Sequence, residues 1–132
     1  MQAPSLTLGI EEEYQIVDGE TRELTSYITE ILDSDHLVLR ERLKPELHQS
    51  VVEMGSTVCR TVQEAREEVL KMRRLVSDQV RENGLRIVAA GTHPFSDWTE
   101  QEITPLERYI GIREDLQEVA SRNLIFGMHV HI

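Results

Sequence analysis

Three consecutive glutamates stand inside a stretch whose apolar residues alternate. Leu6, Leu8, Ile10, Tyr14 and Ile16 are separated by Thr7, Gly9, Glu11, Glu13 and Gln15. A period of two predicts a strand over 6–17. Glutamate is depleted from strands, so three in a row need a reason. Side chains at i and i+2 share a face, which sets Glu11 beside Glu13 and places Glu12 with the apolar residues. Two carboxylates held that close repel unless a positive charge lies between them. A hard divalent ion such as magnesium wants oxygen ligands of this kind. The plainer reading is a solvated sheet edge with an arginine partner.

Further along, Asp18-Gly19 predicts a turn, and Arg22–Leu24 a short return strand. Ser26–Leu32 reads as a short helix broken by Asp33, Ser34 and Asp35. A strand-like pattern runs from Leu37 to Val58, interrupted at Lys44-Pro45, where the missing proline N–H marks an edge, a turn or a strand start. Gly55 ends or bulges its second piece. Thr61 and Glu64 form a capping box, and Val62, Ala65, Val69, Met72, Val76 and Val80 follow at helical spacing. Gly84 is placed for a left-handed cap. Leu85–Ala90 predicts a buried strand and the segment from Thr92 to Trp98 a loop. A second capped helix is predicted from Thr104, with Pro105 in its first turn and Glu107 closing the box. Its stripe is Leu106, Tyr109, Ile110, Leu116, Val119 and Ala120. Leu124–Ile132 predicts a last strand.

These elements make an α+β chain, and 132 residues is one domain's length, so the expectation is a single domain over residues 1–132. Lys and Arg number 14 against 24 Asp and Glu, a net charge of −10, which argues against nucleic acid or an anionic membrane surface as partner. A hydrophobic fraction of 39% sets the chain apart from acidic disordered sequences. One cysteine, Cys59, excludes an internal disulfide framework and a cysteine-based zinc site, and nothing marks it as an activated nucleophile. Residues 1–8 carry no basic segment leading into an apolar run, and no apolar run reaches membrane-spanning length; a soluble, cytoplasmic chain is expected.

Three other stretches offer chemistry. Glu46 and Glu53 flank Leu47-His48-Gln49-Ser50-Val51-Val52, and an odd separation of seven puts them on opposite faces of a regular strand. They share a site only if Glu46 precedes the regular pairing or a bulge intervenes; otherwise they are unrelated charges. Phe126-Gly127-Met128-His129-Val130-His131 carries two histidines facing one way, as two metal ligands or as ordinary histidines. His93, in Gly91-Thr92-His93-Pro94, lies past a strand end, where either an active-site loop or simple turn formation accounts for it.

Taken together, these stretches resemble the opening portion of the type 2 glutamate–cysteine ligase family, the carboxylate–amine ligases. The resemblance rests on Leu8-Gly9-Ile10-Glu11-Glu12-Glu13-Tyr14-Gln15 and on Glu46-Leu47-His48-Gln49-Ser50-Val51-Val52-Glu53. It continues through Val58-Cys59-Arg60-Thr61, Ala90-Gly91-Thr92-His93-Pro94-Phe95, Ile103-Thr104-Pro105-Leu106-Glu107-Arg108-Tyr109 and Gly127-Met128-His129-Val130-His131. It implies a curved, mainly antiparallel sheet with flanking helices, like the catalytic core of glutamine synthetase and the guanidino kinases. It carries metal-ligand roles onto Glu11, Glu13, Glu46, Glu53 and His129, and also onto His131. The implied cofactors are ATP and Mg2+ or Mn2+, and the implied substrates a glutamate-like acid and cysteine or another amine. The implied reaction is amide formation through an acyl phosphate, with cations neutralising the anionic reactants.

Family members are much longer, and no glycine-rich phosphate loop occurs here. The expectation is an incomplete core that does not ligate alone, and that forms a homo-oligomer or pairs with a missing C-terminal part. The alternative is a non-catalytic module that binds metal or pairs its open sheet edge with another chain. A metal-dependent hydrolase ranks below both, since no H-E-x-x-H motif is present.

Overall fold

The alternation around the glutamates forms β1 (Gly9–Asp18). In the computed structural model, which describes residues 6–32 and 41–132, β1 is the centre of an open five-stranded sheet paired antiparallel throughout. On one edge β1 pairs β3 (Val51–Gly55) along Glu11–Gln15, and β3 pairs β2 (Leu43–Pro45). On its other edge β5 (Met128–His131) covers Gly9–Glu12 and β4 (Leu85–Val88) covers Gln15–Asp18. The proline closes β2 at the outside of the sheet, the edge position its missing donor requires. The predicted breaker Asp33, Ser34, Asp35 and the start of the run at Leu37 lie outside the described residues.

The even-numbered face of β1 is the core face. Tyr14 and Ile16 pack with Val52 and Met54 of β3, with Ile28 and Ile31 of the short helix α1 (Ile28–Leu32), and with Met72, Val76 and Val80 of α2 (Val62–Arg81). Burying each of these aliphatic side chains contributes about 1.5–3 kcal/mol. Thr61 caps α2 by accepting from Glu64 N at 3.1 Å, while the Glu64 carboxylate accepts from Arg60 N at 2.7 Å, one residue earlier than a strict capping box. Gly84 takes the left-handed conformation expected of it, with φ of 75°.

Asp18-Gly19 turns as predicted, with Asp18 Oδ1 accepting from Glu20 N and Thr21 N at 2.7 and 2.8 Å. A Cβ on Gly19 would lie 2.1 Å from the Gly84 carbonyl oxygen, so two turns meet where only glycine fits. The return of Arg22–Leu24 amounts to a single bridge, Leu24 to Val17.

The second long helix departs from expectation. It is two pieces, α3 (Glu107–Leu116) and α4 (Glu118–Ser121), broken at Gln117 with φ of 47°. Thr104 does not cap it: the helix begins only at Glu107, after Leu106, and Thr104 is held instead against the Glu46–Leu47 backbone. Only Tyr109 and Ala120 of the predicted stripe are buried, whereas Leu106, Ile110, Leu116 and Val119 are exposed. Cys59 is a small buried residue, as expected, bridged through its backbone to Leu8. Among the described residues no helix is long and apolar enough to cross a membrane.

Candidate metal centre

Because directly opposed residues of an antiparallel pair share a face, the registers assemble all of the site but Glu46. Glu13 faces Glu53, Lys44 faces Glu53, Glu11 faces His129, and Gly9 faces His131. All stand on the odd-numbered face of β1, away from α2. Glu12 points the other way. It is 3% exposed and accepts from Tyr14 Oη at 2.5 Å and Arg73 Nε at 2.8 Å. The arginine partner that a solvated edge called for therefore exists, but it belongs to the buried glutamate. Burial alone would raise the Glu12 pKa; Arg73 and Tyr14 outweigh it and hold the carboxyl below its ordinary value.

Glu46 reaches the same side by the first of the two routes the spacing leaves open, since it precedes the regular pairing of β3. The chain reverses after Pro45, with Val51 N donating to His48 O at 3.0 Å, so the seven-residue spacing spans a hairpin and the two glutamates sit on its two arms. One carboxylate oxygen from each of Glu13, Glu46 and Glu53 lies within 4.8 Å of the other two. For bonds of about 2.1 Å, neighbouring oxygens around a magnesium ion stand about 3.0 Å apart and opposed ones about 4.2 Å, so the three carboxylates must draw together to share one ion. An all-carboxylate donor set of this kind fits a hard cation.

Segment 101–109 holds Glu46 in place, a role the sequence reading missed. Thr104 Oγ1 donates to Glu46 O at 2.5 Å, Thr104 N to Leu47 O at 2.8 Å, and Tyr109 Oη to Pro45 O at 2.8 Å. Gln49 N donates to Glu102 O at 2.9 Å. The available signal was polar: a Thr and a Tyr five apart in a segment with a weak apolar stripe. Gly127 fixes Glu13 in turn, donating its N–H to Glu13 Oε2 at 2.8 Å and accepting from Glu13 N at 2.9 Å.

A cleft of about 330 Å³ opens over these groups, lined by Glu13, Glu46, His48, Phe126, Gly127 and His129 among others. Burial raises the Glu46 pKa; the Leu47 N–H, at 3.0 Å, opposes this, and the Glu13 and Glu53 charges reinforce it. Glu11 forms a neighbouring group, with His131 Nε2 at 2.9 Å and His129 Nδ1 at 3.8 Å. The His131 hydrogen bond and then Lys44 pull its pKa down. Lys44 Nζ joins the two groups, 2.8 Å from Glu53 Oε1 and 3.2 Å from Glu11 Oε1. His48 is buried and points its Nε2 at Ser121 O, 3.1 Å away; burial lowers its pKa. His93 serves its loop, with Nε2 donating to Arg22 O at 2.9 Å and Nδ1 accepting from Ser96 N at 3.0 Å. All six residues singled out as metal ligands thus lie on one face, in two adjoining groups.

The sequence profile of glutamate–cysteine ligase family 2 matches residues 7–132. The chain belongs to that family. A relative from Herpetosiphon aurantiacus is 63% identical over 126 residues, 96% of this chain and 33% of the relative. One from Roseiflexus sp. (strain RS-1) is 60% identical over 126 residues, again 96% and 33%. One from Sorangium cellulosum is 59% identical over 128 residues, 96% of this chain and 34% of the relative. Each is named "Putative glutamate–cysteine ligase 2". The chain spans about a third of the length of these curated relatives. Family membership thus covers both arms of the Glu46–Glu53 hairpin, the Thr104–Tyr109 brace and the strand bearing His129 and His131.

Proposed function

We propose that this chain supplies the metal-binding face of an ATP-dependent carboxylate–amine ligase. Glu13, Glu46 and Glu53 would hold one divalent cation, Mg2+ or Mn2+, and Glu11 with His129 and His131 a second. The convergence of three carboxylates from β1, β3 and the end of β2 carries this reading. When bound, the cations neutralise phosphate and carboxylate charge so that two anions can meet. A carboxylate oxygen of a glutamate-like acid attacks the γ-phosphorus of ATP and ADP leaves, giving an acyl phosphate. The nitrogen of cysteine or another amine then attacks the acyl carbon, phosphate departs, and the nitrogen loses a proton. The glutamates here act as ligands and orienting groups, and none needs to act as a base. Glu13, tied at both backbone and side chain to Gly127, would keep its free lone pairs aimed into the cleft.

The same reading makes the sheet part of a core like that of glutamine synthetase and the guanidino kinases, working in the cytoplasm. It agrees with the division of the sheet into an apolar face under α2 and an acidic face above. The exposed apolar residues Met128 and Val130 on β5 favour a second reading, a non-catalytic module that pairs with another chain. Calorimetric titration of the chain with MnCl2, and then with magnesium-ATP, separates the two. Cation binding weakened about tenfold or more by Glu13→Gln plus Glu53→Gln supports the ligase site. A chain that takes up no cation at millimolar concentration defeats it.

A further inference from the structure

The acidic face carries four glutamates, and among the described residues the one primary ammonium recorded against them sits between two of the carboxylates. Lys44 Nζ is 2.8 Å from Glu53 Oε1 and 3.2 Å from Glu11 Oε1, one from each group of candidate ligands. Its register opposite Glu53 on the edge strand β2 puts it there, and its side chain is 59% exposed, with open solvent to swing into. A divalent ion bonded to Glu53 Oε1 at about 2.1 Å would stand less than about 5 Å from that ammonium. Two positive charges that close in a partly dry site repel strongly.

We infer that Lys44 is a resident counter-ion, which holds the acidic face together without metal and must leave the Glu11–Glu53 gap when a divalent cation enters. This rests on the metal-site reading above. Lys44 thereby sets the cation affinity of the site: it competes for the same oxygens, and its removal leaves four carboxylates with less compensation. The charged groups facing it are Glu11 and Glu53 directly, with Glu13, Glu46, His129 and His131 around them. None of these offers the gap a second fixed cation of lysine's kind.

The test uses the wild-type chain with Lys44→Met and Lys44→Arg, titrated with MnCl2 by calorimetry, and melted with EDTA and with Mn2+. Lys44→Met should bind Mn2+ about tenfold more tightly. Its thermal midpoint should fall below wild type in EDTA and rise further than wild type on adding Mn2+, because the ligand stabilises only the folded chain. Lys44→Arg keeps the charge and should bind like wild type. If wild type binds and Lys44→Met binds equally or less well, the counter-ion role is overturned while the metal site stands. If neither chain binds, the metal-site reading fails and takes this inference with it. A Lys44→Met chain that is unfolded in EDTA and stays unfolded with Mn2+ also overturns it, since the lysine is then needed for the fold itself.

Discussion

Replacing Arg73 by methionine should cost about 2–3 kcal/mol of stability at neutral pH. Breaking a fully buried ion pair by removing one partner costs about 3–5 kcal/mol, because the other charge is left without compensation. Glu12 meets that description, with 4% of its side chain exposed, but Arg73 is 45% exposed, and water entering beside the shorter replacement side chain relieves part of the penalty. The Tyr14 hydroxyl remains as a partner, which also favours the lower figure. The loss should depend on pH in a defined direction. In the wild type Glu12 is held below its ordinary value of 4.5, so its contribution is complete above that pH and disappears as pH falls through the folded value. Without Arg73, burial dominates and the folded pKa moves above the ordinary one. The unfolded variant then ionises first, and its stability falls as pH rises. The gap between the two chains should therefore be wide at about pH 7 and narrow at about pH 4. Urea unfolding followed by circular dichroism at both values measures it. A loss below about 1 kcal/mol at neutral pH, or an equal loss at both, would refute the reasoning. The pair also bears on the site: slipping β1 by one residue exchanges Glu12 with its neighbours and turns Glu11 and Glu13 toward the core. Arg73 makes the correct register the one that satisfies a buried charge.

The Glu46 brace predicts that Thr104→Val, which removes the hydroxyl but keeps the shape, weakens Mn2+ binding several-fold with little change in melting temperature. Adding Tyr109→Phe should weaken it further, and calorimetry showing unchanged affinity in the double variant would dismiss the brace. Gly19→Ala places a methyl group 2.1 Å from the Gly84 carbonyl oxygen, so two turns must separate. The expected loss is about 1–3 kcal/mol in urea unfolding, with cation binding preserved in the fraction that remains folded.

What was legible in the sequence is what repeats locally. The period of two through Glu11–Glu12–Glu13 fixes which glutamates face together, and the pairing of Glu12 with the apolar set follows from it without any knowledge of Arg73. The capped, striped segment from Thr61 likewise predicts α2 and its buried side. The second helix misled for a physical reason: T-P-L-E carries capping chemistry, but Thr104 is tied into a bridge with Glu46 and Leu47, far away in sequence, and the helix begins only at Glu107. Local propensity has no term for such a partner. The same is true of the Glu46–Glu53 spacing, which is awkward on one strand and natural across a hairpin. Pro45 marks a break just ahead of this turn, but Leu47-His48-Gln49 carries no Gly or Asn to fix its form; it is held by backbone bonds to residues 102–104. The displaced helix start and the hairpin therefore have one origin. The segment that fails to behave as a simple helix is the segment that bends the chain at Glu46, and the bend is what converts two separate acidic stretches into a three-carboxylate cluster. Sequence reasoning picks out the candidate ligands, while the tertiary clamp that brings Glu46 to Glu13 and Glu53 shows itself only as a helix start where the helix does not begin.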